Sequence, residues 1–155
     1  MHKAFLTIAM AVALVAVAGC GSDDDNGSEE TQATLTKVEF IERGDAICKK
    51  AEERSEPEAE DFAEENGFDL EKATDEELEE AIAAVLVPAL NQQAEEIDAL
   101  GAPEGDEGQI DAIVVALEEG TAEVEDDPGL VLEGEPLKEA SQLARDYGFE
   151  ACGEE

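Results

Sequence analysis

The sequence has no tryptophan, one tyrosine and one histidine, and only 9 lysines and arginines stand against 43 aspartates and glutamates. Each shortage removes a class of function. One Tyr, five Phe and no Trp leave little aromatic surface for a sugar-binding platform. A single histidine, His2, gives little basis for Ser-His-Asp triads, His general bases or His metal sites. The formal net charge of −34 repels nucleic-acid phosphates and anionic lipid headgroups, so no nucleic acid is expected as a partner. The three cysteines form no Cys-x-x-Cys, which removes the support for a thioredoxin-type redox role. Carboxylate pairs are so abundant that their presence does not point to a hydrolase. No enzyme, cofactor or metal site is read from the sequence.

High charge and few aromatics favour disorder. Against that, the apolar residues recur with helical spacing over long stretches, so a folded core with disordered ends is expected.

The N-terminus is a separate segment. His2 and Lys3 give a short positive start, and Ala4 to Ala18 is apolar apart from Thr7. As a helix this run spans about 22 Å, short of the roughly 30 Å hydrocarbon core. That is the pattern of a secretory signal peptide, with an uncleaved membrane helix as the alternative. The run ends in Val17-Ala18-Gly19-Cys20, which resembles the bacterial lipobox. The resemblance implies cleavage after Gly19, a diacylglycerol thioether on Cys20, and Cys20 as the mature N-terminus. His2 would leave with the signal. Stable anchoring takes two or more acyl chains, each buried CH₂ contributing about 0.8 kcal/mol.

Gly21 to Thr34, GSDDDNGSEETQAT, has linker composition, with a root-mean-square span of about 20 Å that charge repulsion extends. Aligned on Gly27 as a calcium loop, it places Ser22 at the first ligand position and Ala33 at the bidentate one. Two ligand positions fail, so calcium is not expected there.

From Thr36 onward the sequence predicts helices. Thr36 and Glu39 form a capping-box pattern, and Phe40, Ile41, Gly44, Ile47, Cys48 and Ala51 make one stripe. Pro57 either kinks this helix or separates a short one ending at Gly67, with Phe62 as its core contact. Thr74 and Glu77 repeat the capping box before a long helix to about Leu100, which Pro88 should kink or split. Gln93 falls on its apolar stripe, as a packing amide or a ligand contact. A third helix runs from about Asp106 to Glu125 with Ile110, Ile113, Val114, Leu117 and Val124 inside. Gly120 weakens it by about 1 kcal/mol relative to Ala and allows close packing. Leu130 to Leu132 should cover the bundle end. Pro136 starts a fourth helix, with Leu137, Ala140, Leu143, Ala144 and Tyr147 inside and Gly148 as its stop.

An export signal implies an oxidising compartment, where disulfides persist. With Cys20 lipidated, Cys48 and Cys152 are the one remaining pair, two free thiols being the alternative. The closed loop of roughly 100 residues carries a chain-entropy estimate of about 4 to 5 kcal/mol. The stretches GDAICKKAEER, LGAPEGDEGQIDAI and YGFEACG, behind a lipobox, resemble small helical lipoproteins and secreted proteins of high-GC Gram-positive (actinobacterial-type) bacteria. That resemblance implies a helical domain, a disulfide from first helix to tail and an envelope location, and it carries no catalytic residues.

The sequence therefore predicts a signal peptide at residues 1–19, a lipidated acidic tether at 20–35, and a helical domain at 36–155. That domain is expected to be all-α, an antiparallel bundle of about four helices stapled by one disulfide. The expected function is a non-enzymatic binding or structural module, held to the extracytoplasmic face of the cell membrane by its lipid. Its partner would be a protein or cation of the envelope. The alternative is a module that collects divalent cations or basic peptides on acids such as Glu76, Glu77, Glu79 and Glu80.

Overall fold

The computed structural model describes residues 34–153. The expectations for the signal segment, for Cys20 and for the tether up to residue 33 lie outside the described residues. Those residues are helical, with no strand among them.

Helix α1 spans Lys37–Asn66. Thr36 starts it with the expected capping box: the Thr36 N–H and hydroxyl donate to Glu39 Oε2 at 3.0 and 2.7 Å, and the Glu39 N–H donates back to Thr36 Oγ1. The Thr36 bonds hold the Glu39 carboxyl below its usual range. Pro57 lies inside α1 without ending it, so of the two expectations the continuous helix holds. Gly67, at φ 81°, closes it: Gly67 N–H donates to Glu64 O and Phe68 N–H to Ala63 O. Phe68 folds back edge-on to Phe62 at 6.2 Å, the apolar contact that accompanies such a stop.

A 3₁₀ turn at Leu70–Lys72 leads to α2 (Asp75–Ala81), whose capping box joins Thr74 and Glu77. One unbroken helix to Leu100 does not form. Pro88 has no N–H to donate, and its ring crowds the carbonyl one turn back. The chain widens into a π turn at Ile82–Leu86, where Val87 N–H reaches Ile82 O, before α3 (Val87–Asp98) resumes. This slip turns Val87 into the core and leaves Val85 half-buried.

Gly101 and Gly105, both at positive φ, carry the turn into α4 (Glu107–Asp126). All five residues expected on its inner face are buried, and buried Thr121 satisfies its hydroxyl by donating to Leu117 O at 2.7 Å. The short helix α5 (Leu130–Glu133) covers less than expected, since Leu132 remains 42% exposed. Helix α6 (Lys138–Tyr147) begins two residues after Pro136, and Gly148 ends it at φ 119°.

The core has two parts. The larger gathers Phe40, Ile97, Ile110, Ile113, Tyr147 and Phe149 around Cys48; the smaller joins Leu90, Ala94, Ala116, Leu117 and Ala140. Helix α1 packs on α3, α3 on α4, and α4 on α6.

Gly120 lies where α4 meets the start of α6. A Cβ there would sit 2.7 Å from the Pro136 carbonyl oxygen and 2.9 Å from Leu137 Cδ2. The first neighbour is backbone and cannot rotate away. We therefore expect Gly120→Ala to lose stability by about 1–3 kcal/mol despite its better helix propensity. Urea unfolding checks this; a gain in stability would show that α6 shifts freely.

Candidate functional site

The Cys48–Cys152 disulfide is present, with the two Cα atoms 5.2 Å apart. It joins the middle of α1 to the last described turn. Beside it, Asp45 accepts hydrogen bonds from the backbone of that turn. Asp45 Oδ1 accepts from the Ala151 N–H at 2.8 Å, the Glu150 N–H at 3.1 Å and the Cys152 N–H at 3.3 Å. One carboxylate thus satisfies three successive N–H groups of the tail, after those of Gly148 and Phe149 have bonded back to α6. Hydrogen bonds to a charged acceptor are stronger than neutral ones.

Phe149, immediately before this turn, presses on Gly44. A Cβ at Gly44 would lie 2.3 Å from Phe149 Cε1, so only glycine admits the ring. Phe149 also packs on Phe40 (5.9 Å between centroids) and Tyr147 (5.6 Å), and Tyr147 meets Phe40 edge-on at 6.1 Å. The Lys37 ammonium sits 3.8 Å from the Tyr147 ring centroid. The Tyr147 hydroxyl donates to Asp106 Oδ2 at 2.8 Å. Asp106 stands at the N-terminus of α4, yet its side chain does not cap that helix; it serves Tyr147 and Gln109. Burial, then the hydrogen bond to Asp106 and its charge, raise the Tyr147 phenol above its usual value.

Next to this closure lies a cleft of about 660 Å³. Its two walls are α1, through Cys48, Ala51, Glu52 and Ser55, and α6 with the residue before it, through Leu137, Ala140, Ser141, Ala144 and Arg145. These two helices do not pack on each other as the other pairs do. Leu86, Leu90, Gln93 and Ile97 from the π turn and α3, with Ile113 and Leu117 from α4, form the base. Ala151, Cys152 and Gly153 line it at the tail, where Arg145 donates to the Gly153 carbonyl. The volume falls in the range of small-molecule sites.

Of the residues singled out in the sequence, Cys48, Cys152 and Gln93 meet at this cleft: Gln93 Nε2 donates to Cys48 Sγ at 3.1 Å. Gln93 is thus a packing amide that also lines a cavity. The acids Glu76, Glu77, Glu79 and Glu80 are not gathered into one site. Glu77 is turned back to the Thr74 backbone and hydroxyl, which hold its carboxyl below the usual range, while Glu79 reaches towards Gly129. Among the described residues no group of three or more His, Cys, Asp or Glu is arranged to hold a metal ion, and no helix is long and apolar enough to cross a membrane. Sequence reading missed Asp45 and Asp106. The signal for Asp45 was its place between Gly44 and Cys48 at the edge of the apolar stripe.

No protein-family model matches the chain, and neither a curated protein nor a solved structure is significantly similar to it.

Two outcomes follow from this geometry. Removal of the Asp45 carboxylate leaves three N–H groups to find other acceptors. Asp45→Ala should cost about 1–3 kcal/mol and speed amide exchange at Glu150, Ala151 and Cys152, with the disulfide intact. Unchanged exchange would mean that the disulfide alone holds the tail. Tyr147, as the one tyrosine, gives an unambiguous phenolate absorbance. Its titration midpoint should lie above the usual value of 10.0, and Asp106→Asn should bring it back towards that value. Since the folded state resists ionisation while the unfolded chain ionises, stability should fall as pH rises above about 10.

Proposed function

We propose that this chain is a non-enzymatic, lipid-anchored binding module on the outer face of an actinobacterial-type cell membrane. In this reading residues 1–19 are removed, Cys20 carries the lipid, and residues 20–35 hold the domain off the surface. The domain is an antiparallel four-helix bundle of α1, α3, α4 and α6. The short connection between α3 and α4 favours that arrangement.

One observation carries the proposal: the Cys48–Cys152 bond uses two of the three cysteines. It leaves Cys20 single, at the end of a signal-type run and in the lipobox order. A structural disulfide of this kind also suits an oxidising compartment. The cleft between α1 and α6 supplies a place to bind. No imidazole remains for general-base chemistry once His2 is cleaved off.

The test is a Cys20→Ser variant, followed by fatty-acid labelling and membrane fractionation in a Gram-positive host. Wild type should take up label, sediment with membranes and begin at a modified Cys20. The variant should take up none and leave the membrane or keep its signal segment. A wild-type protein that sediments unlabelled, or a variant still processed after Gly19, would overturn the anchor.

A further inference from the structure

The cleft has a feature that narrows its ligand. Its base is apolar apart from Gln93, whose amide is turned to Cys48 Sγ, and its charged groups are two. Arg145 on the α6 wall already donates to the Gly153 carbonyl and helps hold the tail. Glu52 on the α1 wall is exposed and has no ion-pair partner among the described residues. From Leu86 to Ile97 the base runs about 16 Å at a helical rise. That suits an extended alkyl chain of medium length. A partner helix, with a diameter of about 10–12 Å, would overfill a cleft of this volume. The chain carries a formal charge of −34, a field that disfavours a carboxylate or phosphate headgroup and favours a cation.

We infer that the cleft between α1 and α6 binds a small cationic amphiphile, its alkyl chain lying along α3 and its ammonium head at Glu52. The inference rests on the domain being a binding module and names the ligand class. Ala51, Ser55, Ala140, Ser141 and Ala144 make room for the chain, because two helices facing each other with small side chains leave the space open. Hydrophobic transfer supplies the affinity, and the exposed Glu52 supplies head selection.

The test uses the full-length protein in nanodiscs and a dodecyltrimethylammonium probe carrying a photoreactive diazirine on its chain. Cross-links should map to the cleft walls around Ala51 and Ser141. Ala51→Phe and Ser141→Phe fill the cleft from opposite walls, and each should cut labelling by about tenfold or more. Ala122→Phe, on the exposed side of α4, should leave it unchanged. Melting curves report whether each variant is folded, and the two walls serve as independent probes. Unlabelled dodecyltrimethylammonium should compete better than uncharged monododecanoylglycerol, and dodecanoate should compete least. Glu52→Gln should weaken the cationic competitor by about two- to fivefold and spare the uncharged one. Labelling that ignores both filled variants would overturn the site. Equal competition by all three headgroups would overturn the role of Glu52. Neither result bears on Cys20, whose lipidation is read separately by fatty-acid labelling.

Discussion

The closure of the tail onto α1 is the constraint on which this fold depends. A chain with 43 acids and 9 bases repels itself, and its core is built largely from alanines and medium aliphatics with few aromatic rings. Small side chains bury little area each, so hydrophobic burial alone leaves a narrow margin. The Cys48–Cys152 bond shrinks the unfolded ensemble rather than adding contact, by about 4 to 5 kcal/mol on the chain-entropy estimate. Around it, Asp45 satisfies the tail backbone, Gly44 admits Phe149, and Phe149 completes a three-ring cluster with Phe40 and Tyr147. Three of the five aromatic residues in the described region are gathered at this one closure.

The cleft follows from the same economy of side chains. Where α3 meets α4, leucines and isoleucines fill the space, and the helices pack closely. Where α1 faces α6, the residues are Ala51, Ser55, Ala140, Ser141 and Ala144, and nothing large enough spans the gap. The tail crosses it at one end through Ala151, Cys152 and Gly153, so the opening has a covalently fixed limit. Stability and access are separated along a single groove: cross-linked at the tail and open beyond it.

Much of the helical layout was legible in the sequence because it rests on local rules. Thr36–Glu39 and Thr74–Glu77 announce helix starts through side chains that reach their own backbone, and Gly67 and Gly148 announce stops through left-handed φ. The inner face of α4 follows from spacing alone. At the prolines two local rules competed. Pro57 sits in α1 without breaking it, the continuous one of the two expected outcomes, whereas Pro88 splits the second helix as expected, through a π turn that buries Val87 and leaves Val85 half-buried. Asp45, Asp106 and the cleft were hidden for another reason. Asp45 and the N–H groups it serves are 105 to 107 positions apart, and Asp106 and Tyr147 are 41 apart. No periodicity encodes such pairings, and a cavity is defined by what two distant helices fail to touch.

The position of the cross-link also decides how the domain answers tension. The chain leaves the described region at residues 34 and 153, and the bond joins positions 48 and 152. A pull applied between those two ends travels along the first turns of α1, across the sulfurs and out through Gly153. Everything from the middle of α1 to Ala151 lies inside the covalent loop and is spared the pull. Under force the cleft and the helices around it would therefore stay slack while the bond is intact, and reduction would convert the whole domain into one continuous extensible thread.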